Sequence, residues 1–155
     1  GDTITIPSGA TITNNGTATG DFGGGKINQV LNSVATVNTT SSSDVELFNL
    51  SITPSATSSK ILAIVNVTAQ LDANEYTSFD LYRGTLASGT KVFDAGETLF
   101  NSADSTRLGY GFTYLDSPST TSATQYTVVG SPHASSTIQF GATGKNTITL
   151  IEVLA

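Results

Sequence analysis

The chain has 155 residues, 37% hydrophobic and only 12% charged, and 26 threonines and 19 serines fill the gap. Twelve acidic residues against six scattered basic ones give a net charge of −6, which excludes the clustered Lys and Arg that nucleic-acid binding needs. There is no cysteine, so no disulfide framework forms, and no run is long and apolar enough for a transmembrane helix.

Residues 1–25 open the chain as GDTITIPSGATITNNGTATGDFGGG. Its glycines mark three seven-residue units over residues 3–23, TITIPSG, ATITNNG and TATGDFG. Ile4, Ile6 and Ile12 alternate with threonine, which gives each short strand one apolar and one polar face. No unit carries enough apolar surface to fold alone. The segment therefore reads as a β-repeat shaft that packs against copies of itself, with a flexible linker as the bland alternative. Residue 1 is Gly and not Met, and the expectation is of a longer shaft upstream.

Residues 26–155 read as a second unit. Residues 26–37 (KINQVLNSVATV) fit a short helix or a strand, and their β-branched content favours the strand. NTTSSS at 38–43 is a loop; DVELFNLSI at 44–52 alternates. KILAIVNVTAQL at 60–71 is the strongest strand, with Ile61, Ala63, Val65, Val67, Ala69 and Leu71 on one face. Strands at 77–83 and 90–93 follow, then RLGYGFTYL at 107–115, which makes Tyr110 and Tyr114 half-buried strand residues. Residues 125–129, 137–140 and 147–154 complete the set, and the last is too apolar for an outer surface. Nine or ten short strands joined by turns, without a convincing helix, predict an all-β jelly-roll-like β-sandwich.

Catalytic constellations are missing. The single histidine, His133, sits in GSPHAS and reads as a solvated loop residue. No GxSxG or GxxxxGK[ST] motif occurs. The stretch DANEY at 72–76 fails as a calcium loop, because Thr77 and Arg83 stand where Gly and Glu are required. Acids abound, but nothing pairs two of them for glycoside hydrolysis. The reading is of no enzyme, no cofactor and no metal. What remains is surface: aromatic rings stack on sugar faces, and Asp, Asn and Arg bond their hydroxyls. The expected contact loops are 72–76, 86–91, 96–107 and 131–136. The candidate residues there are Asp72, Asn74, Tyr76, Lys91, Glu97, Asn101, Arg107 and His133.

The phrase TITIPSGATITNNGTATG, then ITPSATSSKILAIVNV, FDLYRGT, FTYLDSPSTTSATQYTV and the closing NTITLIEV resemble the C-terminal region of tail-fibre proteins of tailed phages of marine bacteria and cyanobacteria. Asp21 before Phe22 departs from that pattern, where Gly-Phe is expected directly. The resemblance implies a homotrimer with a slender shaft leading into a β tip. It also implies a place in the virion tail and multivalent attachment to a host cell-surface glycan or outer-membrane protein. The rival expectations are a head-decoration or baseplate β-domain without receptor binding, and a surface-glycan depolymerase.

Overall fold

The computed structural model describes residues 26–96, 99–133, 136–141 and 144–154. The shaft expected at residues 1–25 lies outside them. Eleven strands are found among the described residues: β1 (Lys26–Ala35), β2 (Thr39–Ser41), β3 (Val45–Ile52), β4 (Lys60–Leu71), β5 (Glu75–Arg83), β6 (Thr90–Phe93), β7 (Leu99–Asn101), β8 (Thr106–Asp116), β9 (Thr124–His133), β10 (Ile138–Phe140) and β11 (Asn146–Leu154). None of the described residues forms a helix long and apolar enough to cross a membrane.

The strands form two antiparallel sheets. In the first, β4 pairs along one edge with β8 and along the other with β11 and then β10. Beyond these lie β1 on β11 and β2 on β10. Thus β1 with β2, and β10 with β11, act as two long interrupted strands. In the second sheet β9 lies between β3 and β5, and the free edge of β5 carries β7 at one end and β6 at the other. Merging the two interrupted strands, and β6 with β7 along the edge of β5, gives eight strands, ordered 1-8-3-6 in one sheet and 2-7-4-5 in the other. That is a jelly roll, as the sequence predicts.

Alternation explains the sandwich. Along β4 every second residue, from Ile61 to Leu71, is buried, and the intervening residues face outward. Phe79 and Leu81 of β5, Tyr126 and Val128 of β9, Ile148 and Leu150 of β11 and Phe140 of β10 fill the space between the sheets. Phe93 stacks on Phe112 at 4.7 Å and ties β6 to β8. Tyr110 and Tyr114 are half-buried strand residues, as read from the sequence. The apolar strand at the close of the sequence, β11, lies inside the first sheet between β1 and β4.

Two polar staples reinforce one end. The Asp116 carboxylate accepts the Tyr126 hydroxyl at 2.7 Å and lies 3.5 Å from Arg83 Nη1, joining β8, β9 and β5. Burial, then the Asp116 bond, pushes the Tyr126 phenol far up. Glu152 of β11 is fully buried. It accepts Asn28 Nδ2 at 2.8 Å, Gln29 Nε2 at 2.7 Å, Ser55 N–H at 2.6 Å and Ser55 Oγ at 2.7 Å. Burial alone would raise this carboxyl; the four bonds outweigh it and hold it well below its ordinary 4.5.

Gly130 has no room for a side chain. A Cβ there would lie 2.6 Å from two ring atoms of Phe140, a residue with no exposed surface. Gly130→Ala is expected to cost about 1–3 kcal/mol through overpacking, read as a lower urea midpoint with an unchanged slope. Gly96→Ala, where nothing lies within 4 Å but φ is +63°, is the control for backbone strain alone.

Candidate functional site at the loop end

The jelly roll sorts its connections to two ends. Residues 42–44, 72–74, 102–105 and 136–137 lie at one end. Residues 53–59, 84–89 and 117–123 lie at the other, together with the Lys26–Leu154 pair where β1 begins. The twelve residues of β4 separate the ends by about 36 Å at the usual strand rise. Three of the four expected contact loops therefore converge, while the fourth, 86–91, starts from the opposite end. From there the 84–89 turn folds back over the outer face of the second sheet, and the Leu86 N–H donates to Glu46 of β3.

At the loop end the chain crosses from β4 to β5 in three residues. Asn74 takes a left-handed φ of 62°, which asparagine tolerates better than most residues. The Asn74 N–H donates to the Asn101 carbonyl at 2.7 Å. Glu75 accepts the N–H groups of Asp72 at 2.7 Å and Thr137 at 2.8 Å, tying this crossing to the β9–β10 connection. Asp72 and Asn74 are exposed. Among the described residues no three metal-ligating side chains converge here or elsewhere.

Tyr76, expected in a loop, lies on β5, because pairing with both β7 and β9 extends the strand back to Glu75. Its ring stacks on Phe100 with centroids 4.5 Å apart and planes 26° apart. On its other side it pairs with His133. His133, Tyr76 and Phe100 thus form a row across β9, β5 and β7 on the outer face of the second sheet. Phe100 is 47% exposed. Such a platform offers ring faces and edges to the C–H face of a sugar or to another flat apolar group.

His133 was expected in a solvated loop. It instead ends β9, half-buried, with Nε2 3.0 Å from Ser78 Oγ. That Ser–His pair is not a nucleophile and its base in any useful sense, since Ser78 is 1% exposed and no substrate carbonyl reaches it. Asn101, expected on the contact surface, is buried. Its Nδ2 faces the carbonyls of Leu71, Asp72, Ala103 and Asp104 at 2.9–3.2 Å. It braces two loops and leaves no donor for a ligand.

Lys91 is on β6, away from the loop end. Its Nζ lies 2.7 Å from Asp80 Oδ2 and 3.2 Å from Asp94 Oδ2, and 5.8 Å from the Tyr82 ring centre. The hydrogen bond to Asp80 drives the ammonium pKa further up. Burial raises Asp80, partly offset by Lys91, and the Gly96 N–H followed by Lys91 lowers Asp94. This lysine closes an internal ion pair. Glu97 lies outside the described residues.

Arg107 stands at the loop end but on the outer face of the first sheet. With Gln70, Ser105 and Thr106 it lines an open groove of about 540 Å³. Arg107 Nε donates to Gln70 Oε1 at 3.1 Å, and Gln70 Nε2 donates to Ser105 Oγ at 2.7 Å. A guanidinium, an amide and two hydroxyls suit sugar hydroxyls or a carboxylate. Phe100, Ser105 and Thr106 fall in the expected 96–107 loop but were not among the residues named there, and Gln70 lay outside every expected loop. The alternation in LFN, Leu99 inward and Phe100 outward, is the signal that could have found Phe100.

No protein-family model matches the chain, and no curated protein does. Solved structures of viral particles do resemble it. The infectious bursal disease virus Gx strain structure matches at 16% identity and a TM-score of 0.48, over 97% of this chain and 42% of that one. The VP2 subviral particle of infectious bursal disease virus matches at 14% and 0.45, over 82% and 37%. The capsid of cyanophage Pam1 matches at 18% and 0.32, over 97% and 98%. The chain therefore spans about two fifths of the length of the bursal disease virus chains it matches.

Proposed function

We propose that the chain is a structural jelly-roll domain of a virion, the distal part of a tail fibre, and that its loop end binds a glycan on the host cell surface. One observation carries the reading. The chain enters the sandwich at Lys26, and the aromatic row and the Arg107 groove stand at the opposite end, the arrangement a shaft-borne tip requires. The resemblance of TITIPSGATITNNGTATG to tail-fibre segments supports the same assignment. Single contacts on an open platform are weak, and several copies on one fibre multiply them.

Phe100→Ala is expected to weaken retention on host cells about tenfold. The thermal midpoint should stay put, because the ring is half exposed. The assay is a pull-down of the full chain on intact bacteria and on their purified surface polysaccharides. Failure of the wild-type chain to bind either would overturn the receptor role. Release of reducing sugar during binding would replace it with a depolymerase.

A head-decoration or baseplate domain is the second reading. The apolar outer side of the first sheet favours it, since that side suits packing in a particle and not receptor contact. It predicts no cell binding, and density on the head or baseplate in virion images.

A further inference from the structure

The chain has two arginines, in a sequence with twelve acids for six bases. Arg83 is taken up by the Asp116 carboxylate at 3.5 Å and the Ser117 carbonyl at 3.3 Å. Arg107 forms no ion pair among the described residues. Its guanidinium is nonetheless held in place. Nε donates to Gln70 Oε1 at 3.1 Å, and Gln70 is fixed in turn by its Nε2 bond to Ser105 Oγ at 2.7 Å. These bonds set the plane of the guanidinium. They leave the four N–H groups of Nη1 and Nη2 without an acceptor among the described residues.

The register shows the room beside it. Arg107 pairs with Gln70, Gln70 with Gln139, and Gln139 with Thr40. That is a polar row across β8, β4, β10 and β2, about 14 Å from end to end. Two residues along β8, Gly109 faces the same way and pairs with Thr68. A Cβ at Gly109 would meet nothing nearer than the Val67 carbonyl at 3.9 Å. The sheet is bare backbone at that point, and a glycine inside a strand often marks where a ligand comes close. A flat ring can lie over Gly109, with Thr68 at its side and Arg107 at its end.

We infer that this groove is the subsite for an acidic sugar, whose carboxylate lies against the free Nη edge of Arg107. The inference deepens the glycan reading and rests on it. Two parallel N–H groups match two carboxylate oxygens, and a guanidinium already oriented by Gln70 loses little freedom on binding. The Ser105 oxygen accepts from Gln70, which leaves its hydrogen for a ring hydroxyl. The net charge of −6 opposes a densely charged polyanion. The ligand is therefore a polymer in which acidic sugars are spaced among neutral ones.

The probe is the purified surface polysaccharide that retains the wild-type chain, used before and after reduction of its carboxyl groups to alcohols. Reduction is expected to weaken retention about tenfold. Arg107→Gln should weaken binding to the untreated polymer by the same factor and leave binding to the reduced polymer unchanged. Gln70→Glu keeps the arginine but sets an internal carboxylate against it, and should bring the same loss. Arg107 is exposed and Gln70 half-buried, so the thermal midpoints of both variants should match wild type. Retention that survives carboxyl reduction overturns the acidic-sugar assignment. If it is then lost with Arg107→Gln, the bound anion is a sulfate or phosphate, which reduction spares. Equal retention of wild type and Arg107→Gln overturns the subsite and leaves the glycan reading on the aromatic row, where Phe100→Ala tests it. A wild-type chain that no surface polysaccharide retains overturns both.

Discussion

Phe79→Ala is expected to lower the stability of the sandwich by about 3–5 kcal/mol. Phe79 is central in β5 and has no exposed surface. Its ring meets Phe140 edge-on at 5.7 Å and 74°, and stacks on Tyr110 at 6.1 Å and 11°. Both partners belong to the opposite sheet, so the ring is a bridge between the layers. The cavity it leaves would not collapse easily. Phe140 sits against Gly130, directly opposite Phe79 in the β5–β9 register, and Gly141 beside it has its Cα packed against Val37 with φ of +78°. A domain of this size holds about 5–15 kcal/mol in all, so the loss is a large share of the total. The measurement is the urea midpoint of the full chain, with Phe79→Leu as the milder comparison. A cost under about 1 kcal/mol would mean that the two sheets close over the gap, and that this bridge does not set their separation.

Glu152→Gln is expected to remove about 2–3 kcal/mol at neutral pH, because a carboxylate accepting four hydrogen bonds gives way to an amide that accepts fewer and carries no charge. The pH dependence gives the sharper result. The folded pKa of Glu152 is held below the ordinary 4.5, so its contribution is fully present above that value. It drains away as pH falls below 4.5 toward the depressed folded value. Wild-type thermal midpoints should therefore drop steeply on the acid side, and those of Glu152→Gln should drop less. Asp80 works in the opposite sense, since burial raises its pKa and protonation there favours the folded form. It is the same in both proteins, and the difference between their curves isolates Glu152. Parallel curves would assign the acid sensitivity to other carboxylates.

How much of this was legible in the sequence depends on what covers each strand. β4, β8 and β11 have one face on the core and one on solvent, and their alternation reads directly. β5 does not, because Thr77 through Leu81 are all buried. The 84–89 turn folds across the outer side of that sheet, and Lys91 reaches back to Asp80 there. β2 and β7 have three residues each, too few to show a period, and both fell in stretches expected to be loops. Gly-Ser-Pro-His read as part of a loop, yet β9 continues through it. β3 pairs with β9 only as far as Gly130, so Pro132 meets an open edge on that side and its missing N–H breaks no bond of the β3–β9 ladder.

The site was legible as a region and not as a residue set. Loop position brought Asp72, Asn74, Tyr76 and His133 to one end, because alternate connections of a jelly roll share an end. Burial was invisible, so Asn101 and Lys91 were read as free when both are engaged in bonds within the domain. Arg107 lies on the opposite face from Tyr76, a parity that only the register reveals.

The place of β11 bears on how the protein is made. Strand β1 leaves the ribosome well before its hydrogen-bonding partner, which runs from Asn146 to Leu154, more than 110 residues later. The same late strand supplies one edge pairing of β4 and the carboxylate that anchors Asn28, Gln29 and Ser55. Until synthesis delivers it, the first sheet has a gap at its centre and an apolar face with nothing to close it. Closing such distant pairs is slow, and unpaired edges invite neighbours in the meantime. The rate at which the sandwich closes would then be set by how quickly nine residues find their slot.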